Sequence, residues 1–250
     1  FKYGKSLGIK VFSTPFDDTA VDFLEKLNCP IYKVSSFEMT DLNLVKKVAQ
    51  TKKPIIISTG MANLGEIESA IKALISNGLD RKKITLLHCT TEYPAPFGEV
   101  NLLAMNTLKK AFNLPVGYSD HTEGIAISIA AAALGARVIE KHFTLDRGLP
   151  GPDHIASIEP HELANMIESI RQVEESLGLT LKEPSPSEAK NMFAARRSLV
   201  ASKYIAKAEQ FTTDNVTAKR PGNGISPMRI DEIIGRSACR SFEPDDLIEI

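Results

Sequence analysis

The stretch Val116–His142 (VGYSDHTEGIAISIAAAALGARVIEKH) decides the fold class of this chain. It opens with a short apolar segment, Val116–Ser119, and continues into an Ala-rich amphipathic stretch, Gly124–Leu134. A second apolar segment, Val138–Phe143, begins inside the stretch and ends one residue beyond it. Two short apolar runs around one helical pattern are typical of buried parallel strands joined by a helix. The stretch therefore predicts one βα repeat of a parallel sheet.

The same pattern recurs along the first part of the chain. Successive apolar segments begin about 21 to 32 residues apart, with amphipathic segments between them, as repeated βα units would. The predicted strands are Lys10–Ser13, Ile31–Ser35, Pro54–Thr59, Ile84–Cys89, Val116–Ser119 and Val138–Phe143. Such a series fits either a doubly wound open sheet or a (β/α)₈ TIM barrel.

Polar residues at the strand ends favour the barrel. Nearly every predicted strand ends in hydroxyl, imidazole or charged side chains, and no G-x-G-x-x-G follows the first strand. An open sheet binds ligands mainly at its switch point, whereas a barrel gathers all strand ends around one mouth. We therefore predict an α/β protein with a TIM barrel. Six strands are two fewer than a barrel needs, so we expect about two N-terminal strands to be missing.

The regular alternation of predicted strands and helices ends near residue 180. We predict a partial barrel domain over residues 1–180 and a Pro/Ser linker with a short helix over residues 181–197. Residues 198–250 are predicted to form a small mixed β domain. Its expected strands are Leu199–Ala201, Val216–Lys219 and Leu247–Ile250.

Composition limits the partners of the protein. The 30 Lys and Arg residues nearly balance the 31 Asp and Glu residues, which leaves no net field for nucleic acid. No apolar run is long enough to cross a bilayer, and no signal peptide pattern is present. Three cysteines suit a reducing compartment, so we expect a cytoplasmic protein without nucleic acid or membrane partners.

His121 and His142 form the clearest candidate metal site. They terminate neighbouring predicted strands, so both imidazoles would face one mouth. Two protein ligands leave open coordination positions, which is typical of a catalytic metal. Mixed nitrogen and oxygen ligation suits Mn, Mg, Fe or Zn. The alternative is a pair of hydrogen-bonded core histidines.

A second candidate site binds an anion. Thr14, Lys33, Ser36 and Ser58 end three successive strands, and a lysine beside hydroxyls suits a phosphate. The hydroxyls could instead cap the following helices. Lys33 needs a buried partner in its apolar strand, and Glu38 could serve as that partner or bind a hydroxyl.

Three further residues allow an ordinary interpretation, and Asp153 also allows a functional one. Asp153 ends the loop Arg147–Asp153 (RGLPGPD), which would overhang the mouth, and the alternative is an exposed aspartate in a turn without a functional role. Arg220 precedes the rigid turn of KRPGNG, and could be a plain surface arginine. His88 ends a strand and fits a hydrogen-bonded core histidine.

Eight motifs together resemble the bacterial sialic acid synthase family. In chain order they are FSTPFD (Phe12–Asp17), YKVSSFE (Tyr32–Glu38), ISTGM (Ile57–Met61), HCTTEYPAP (His88–Pro96), YSDHT (Tyr118–Thr122), IEKHFT (Ile139–Thr144), PGPD (Pro150–Asp153) and KRPGNG (Lys219–Gly224). The resemblance implies a (β/α)₈ barrel, a C-terminal antifreeze-like (SAF) domain and a domain-swapped homodimer.

The resemblance also implies a role for each matching residue. His121 and His142 would bind a divalent metal, with Mn²⁺ expected first and Mg²⁺ or Co²⁺ as alternatives. Phosphoenolpyruvate would be held by Thr14, Lys33, Ser36, Ser58 and Ser119. An N-acetylated hexose would contact Glu38, Tyr93, Asp153 and, from the partner subunit, Arg220. The catalytic set would be Lys33, Glu38, His121 and His142.

The activity implied is a metal-assisted condensation. Phosphoenolpyruvate, open-chain N-acetylmannosamine and water would give a nine-carbon 2-keto acid and phosphate by C–O cleavage, as in N-acetylneuraminate synthases. The alternatives are a pseudaminic or legionaminic acid synthase, a pyruvate aldolase and a non-catalytic sugar-binding protein. Since part of the barrel is expected to be missing, we expect the 250-residue chain alone to be inactive.

Overall fold

The computed structural model describes residues 1–250, which divide into two compact units, Phe1–Gly178 and Leu179–Ile250. The strands are β1 Tyr32–Val34, β2 Ile55–Ser58, β3 Ile84–Cys89, β4 Val116–Asp120, β5 Ile139–Lys141, β6 Ser198–Ala201 and β7 Val216–Lys219. The helices are α1 Lys2–Ser6, α2 Asp18–Lys26, α3 Leu42–Gln50, α4 Leu64–Ser76, α5 Ala104–Phe112, α6 Ala126–Ala133, α7 Pro160–Leu177, α8 Pro186–Ala195 and α9 Ile230–Ile233. None of these helices is long and apolar enough to span a bilayer.

The first unit is built on a curled parallel sheet. Its strand order follows the chain, β1-β2-β3-β4-β5, and every neighbouring pair is parallel. A doubly wound sheet would reverse its order at a switch point, and this sheet does not. The sequential order confirms the barrel-type interpretation, with the five strands forming a half-barrel.

The first predicted strand, Lys10–Ser13, is not one. It contributes a single parallel bridge, between Ser13 and Tyr32, and Lys10 and Phe12 are exposed. A segment with a pairing neighbour on one side only forms fewer ladder hydrogen bonds. The prediction of six strands was therefore wrong by one.

Amphipathic helices cover the sheet as their sequence pattern predicts. On α3, the buried residues Leu44, Val45 and Val48 lie on one stripe, while Lys46 and Lys47 are more exposed. Helices α2, α3 and α4 begin at side-chain caps, and the cap of α4 is a reciprocal capping box between Asn63 and Glu66. The apolar faces of these helices therefore pack against the sheet that carries the strand ends.

The second unit has its own core and a short antiparallel sheet. Strands β6 and β7 pair there, and the rings of Phe211 and Phe242 pack edge to face at 5.7 Å. The predicted strand Leu247–Ile250 makes only one bridge, between Val200 and Leu247. A 3₁₀ turn, Pro227–Arg229, leads into α9.

Candidate active site

One cavity of about 310 Å³ opens at the carboxyl ends of β1–β5. It is where a barrel fold places its site, because all parallel strands end there. The cavity brings together the five residues expected to hold an anion, the two histidines and Tyr93. Its lining is Thr14, Phe16, Lys33, Ser35, Ser36, Phe37, Ser58, Cys89, Tyr93, Ser119, His121, Glu140 and His142.

Lys33 is buried at the floor of the cavity and is paired with Glu140. Its Nζ donates to Glu140 Oε1 at 3.1 Å, and Ser119 Oγ donates to the same oxygen at 2.7 Å. Lys33 comes from β1 and Glu140 from β5, so the sheet curls enough for its outer strands to meet. The acidic partner that the sequence required exists, but it is the partly exposed Glu140 rather than Glu38.

Ser58 presents an unused hydroxyl to the cavity. Its side chain is buried, and its Oγ has no hydrogen-bond partner in the protein. It is the last residue of β2 and caps no helix, which removes the capping alternative for this residue. Ser36 Oγ, by contrast, accepts a hydrogen bond from the amide of Gly60 at 3.0 Å. A buried hydroxyl without a partner is costly unless a ligand completes it, so Ser58 indicates a polar ligand.

His121 is held in the tautomer that a metal ligand needs. Its Nδ1–H donates to the carbonyl of Thr90 at 2.7 Å, which leaves the lone pair of Nε2 free. Burial lowers the pKa of His121 below its ordinary value, and this keeps the ring neutral at pH 7. The rings of His121 and His142 lie 5.3 Å apart, close enough to share an ion.

The residues fit a metal with open positions rather than a closed structural site. No group of three or more His, Cys, Asp or Glu side chains is arranged to hold an ion. His121 and His142 would therefore supply two ligands, and water or substrate oxygen would supply the others.

Tyr93 packs against the histidine pair. Its ring centroid lies 4.1 Å from that of His121 and 5.5 Å from that of His142. On the other side of His142, Asp153 Oδ2 is 3.7 Å from Nδ1, although Asp153 is not among the lining residues. The loop residue thus lies at the rim of the site, as its position in the sequence predicts.

Two expected site residues lie elsewhere. Glu38 is not among the residues that line the cavity, but its carboxylate accepts a hydrogen bond from the Oγ of Ser35, which is. Burial raises the pKa of Glu38. Arg220 belongs to the second unit, where it is exposed and its Nε donates to the carbonyl of Ala195 at 2.8 Å.

The sequence analysis missed a second pair of charges beside the histidines. Asp120 and Lys141 form an ion pair at 3.0 Å with side chains almost fully buried. They precede His121 and His142, and their side chains alternate with those facing the cavity. The sequence does carry a signal for this pair, because Asp120 and Lys141 both lie in apolar strands, where a charged residue without a partner is rare.

His88 is a hydrogen-bonded histidine of the sheet, and it gives a prediction about acid stability. Its Nε2–H donates to the carbonyl of Val100 at 2.7 Å, and burial lowers the pKa of His88. The unfolded chain therefore takes up a proton near the ordinary pKa of about 6.5 while the folded chain does not. The free energy of unfolding is therefore maintained above about pH 6.5, and part of it is lost as the pH falls below that value.

Replacing His88 by Gln, which keeps an amide donor, should reduce this loss. Urea unfolding at pH 7 and at pH 5 measures the loss of unfolding free energy between the two pH values. This loss should be smaller in the variant than in the wild type. Equal losses in both proteins would contradict the account.

Comparisons with known proteins agree with this geometry. Residues 1–182 match the NeuB family, and residues 196–249 match the SAF domain. An N,N'-diacetyllegionaminic acid synthase of Campylobacter jejuni is 56% identical over 98% of this chain and 74% of its own. A pseudaminic acid synthase of Helicobacter pylori is 40% identical over 96% of this chain and 70% of its own.

A solved structure gives the same result. The N-acetylneuraminic acid (sialic acid) synthetase of Leptospira borgpetersenii has a TM-score of 0.71 and 35% identity, over 76% of this chain and 66% of its own. Fold and cavity thus define a parallel half-barrel with its polar site at the strand ends. The chain belongs to the NeuB family of nonulosonic acid synthases and carries a C-terminal SAF domain.

Proposed function

We propose that this protein condenses phosphoenolpyruvate with a hexose carrying two acetamido groups to give a nine-carbon 2-keto acid and phosphate. One observation carries the proposal, namely that a single cavity combines a buried lysine, an unpartnered serine hydroxyl and two neighbouring histidines. A lysine and hydroxyls fit the phosphate and carboxylate of phosphoenolpyruvate. The histidines fit a metal beside the sugar aldehyde.

The anion site is assigned to Thr14, Lys33, Ser36, Ser58 and Ser119. The Lys33 ammonium would offset charge on the phosphate as the C–O bond breaks, since Lys33 is buried and its field is poorly screened. Glu140 already accepts from the ammonium, which keeps two further N–H donors for the anion, whereas Ser119 would have to release Glu140 before its hydroxyl could donate to the anion. Substrate would therefore meet an ammonium whose position is already fixed.

The sugar site is assigned to the side of the cavity that holds the histidines. A divalent ion on His121 and His142, with Mn²⁺ the first candidate, would act as a Lewis acid toward the sugar aldehyde. Tyr93 packs against both rings, tilted to His121 and edge-on to His142, and would contact the sugar beside them. Asp153, at the rim, would accept hydrogen bonds from sugar hydroxyls. Glu38 is assigned to the sugar less directly, because Ser35 binds its carboxylate.

The choice of sugar follows the comparisons rather than our sequence-based expectation. The legionaminic acid relative is 56% identical to this chain, against 35% for the N-acetylneuraminic acid synthetase. These values support a sugar with two acetamido groups over N-acetylmannosamine, which carries one. The pseudaminic acid synthase at 40% identity supports the same class.

We also propose a cytoplasmic, domain-swapped homodimer, in which residues 1–180 form the synthase domain and residues 198–250 the SAF domain. Arg220 would reach the acetamido group of a sugar bound by the partner copy. Its exposure in the second unit supports this role.

Ser58→Ala separates binding from stability. Because the buried Ser58 Oγ makes no hydrogen bond within the protein, its removal should not destabilise the ligand-free fold and should raise the free energy of unfolding by about 1 to 3 kcal/mol. The KM for phosphoenolpyruvate should rise about tenfold, as expected for one lost hydrogen bond to a charged ligand.

Thr59→Val is the matched control for Ser58→Ala. Thr59 Oγ1 donates to the carbonyl of Leu87 at 2.9 Å and lies outside the cavity lining. Its loss should destabilise the fold by about 1 kcal/mol and leave the KM unchanged. An unchanged KM in Ser58→Ala would remove this serine from the anion site.

The proposed function is tested by a substrate panel. The complete protein is incubated with Mn²⁺, phosphoenolpyruvate and either a diacetamido hexose or N-acetylmannosamine, and phosphate is measured. Phosphate release that is faster with the diacetamido sugar supports the proposal. A preference for N-acetylmannosamine would overturn the choice of sugar, an aldol product from pyruvate would indicate an aldolase, and no product at all would indicate a binding protein.

A further inference from the structure

We propose that the buried ion pair of Asp120 and Lys141 is a clamp that sets the separation of His121 and His142. The inference rests on the metal-assisted function proposed above. Asp120 is the last residue of β4 and Lys141 the last residue of β5, and the two are register partners. Each directly precedes one of the histidines, so the clamp fixes both backbones where the histidines emerge.

All the hydrogen-bonding capacity of Asp120 is used within the clamp. Oδ1 accepts from the amide of Thr122 at 2.9 Å and from its hydroxyl at 2.7 Å. Oδ2 accepts from Ser128 Oγ at 2.6 Å and lies 3.0 Å from Lys141 Nζ. Lys141 Nζ also donates to the carbonyl of Thr122 at 2.6 Å. Lys141 therefore contacts both sequence neighbours of His121, namely the carboxylate of Asp120 and the carbonyl of Thr122.

The second histidine depends on the clamp more than the first. The ring of His121 is held by its hydrogen bond to Thr90. The ring of His142 has no comparable contact, because its nearest acidic oxygen, on Asp153, is 3.7 Å away, and 32% of its side chain is exposed. Its position is therefore set through its backbone, which is held by Lys141 on one side and by a hydrogen bond from the Ile158 amide to the His142 carbonyl at 2.9 Å. Residues that orient metal ligands from behind typically change metal affinity 10- to 100-fold when removed.

The burial of Asp120 and Lys141 indicates that this ion pair positions the strand ends. The two side chains are 0% and 2% exposed, so water screens neither charge and both are fully desolvated. A buried ion pair of this kind adds little to the free energy of unfolding. It does favour one arrangement of the two strand ends, because separating the side chains would leave an unpaired buried charge. The arrangement is fixed at the point where the imidazoles of His121 and His142 would have to bind the same ion.

Lys141→Met tests the clamp. It removes the tie between the strands while keeping an aliphatic side chain of similar length. Mn²⁺ binding to the complete protein, without substrates, is followed from the electron paramagnetic resonance signal of free Mn²⁺. We expect the Kd to rise 10- to 100-fold, and saturating Mn²⁺ to restore most of the lost kcat.

Ser128→Ala is the matched control. It removes another hydrogen bond to the same carboxylate but leaves the tie between β4 and β5 in place. Both variants should melt at lower temperature, and only Lys141→Met should bind Mn²⁺ more weakly. Equal Kd values in the two variants would overturn the clamp and assign the pair to stability alone.

Two further outcomes are decisive. If Lys141→Met does not fold, the isosteric Asp120→Asn variant takes its place, with the same rise in Kd expected and an unchanged Kd overturning the clamp. A wild-type protein that binds no Mn²⁺, Mg²⁺ or Co²⁺ would overturn the metal assignment, and the clamp with it. Failure of the clamp alone leaves wild-type binding intact, so the two failures are distinguishable.

Discussion

Lys33→Met is expected to lower kcat/KM for phosphoenolpyruvate by about 10³-fold, or roughly 4 kcal/mol. The variant loses the one ammonium buried in the cavity. It also leaves the Glu140 carboxylate, now held by Ser119 alone, facing the incoming anion. Binding and C–O cleavage should both suffer, so KM should rise and kcat should fall. Steady-state kinetics over a range of phosphoenolpyruvate concentrations separates the two effects.

Lys53→Met is the matched control for Lys33→Met. Lys53 also forms an ion pair, with Glu25, but it lies outside the cavity lining and its side chain is more exposed. Its loss should leave kcat/KM within about twofold of the wild type, as expected for a surface pair. A Lys33→Met enzyme within tenfold of the wild type would remove Lys33 from the anion site.

His142→Ala is expected to lower kcat by at least about 10³-fold with the fold intact. Only two histidines are available to the metal, so losing one leaves a single protein ligand. Because the His142 side chain is partly exposed, its truncation opens no large cavity in the core. In contrast to Lys141→Met, saturating Mn²⁺ should not restore turnover. The measurement is kcat with and without excess Mn²⁺, alongside circular dichroism.

His161→Ala is the control for His142→Ala. His161 lies on the exposed surface of α7, and 69% of its side chain is accessible. The same truncation there should leave kcat unchanged. If His142→Ala retained activity similar to that of His161→Ala, the metal assignment would be wrong.

Much of the fold could be predicted because it follows from local patterns. Short β-branched segments between amphipathic ones identify the parallel strands, and polar strand ends such as Ser119 and His121 identify the face of the sheet that holds the site. The segment Lys10–Ser13 looks like the other strands, but whether it forms a ladder depends on neighbours that its own residues do not specify.

The partners of the charged residues were harder to predict. That Lys33 needs a buried partner follows from its apolar strand, but the choice of Glu140 depends on how far the sheet curls. These two residues are 107 positions apart and meet only because β1 and β5 approach each other. Asp120 and Lys141 could have been paired from the register of adjacent strands, which requires knowing where each strand begins.

The central claim is that this cavity joins phosphoenolpyruvate to an acetamido hexose with cleavage of the C–O bond. Phosphoenolpyruvate carrying ¹⁸O in its bridging position tests it most directly, with the complete protein, Mn²⁺ and a diacetamido hexose. The account predicts phosphate release that depends on the sugar, with the bridging ¹⁸O in the released phosphate and solvent oxygen at carbon 2 of the product. Recovery of the ¹⁸O in the keto acid, or phosphate release that ignores the sugar, would contradict it.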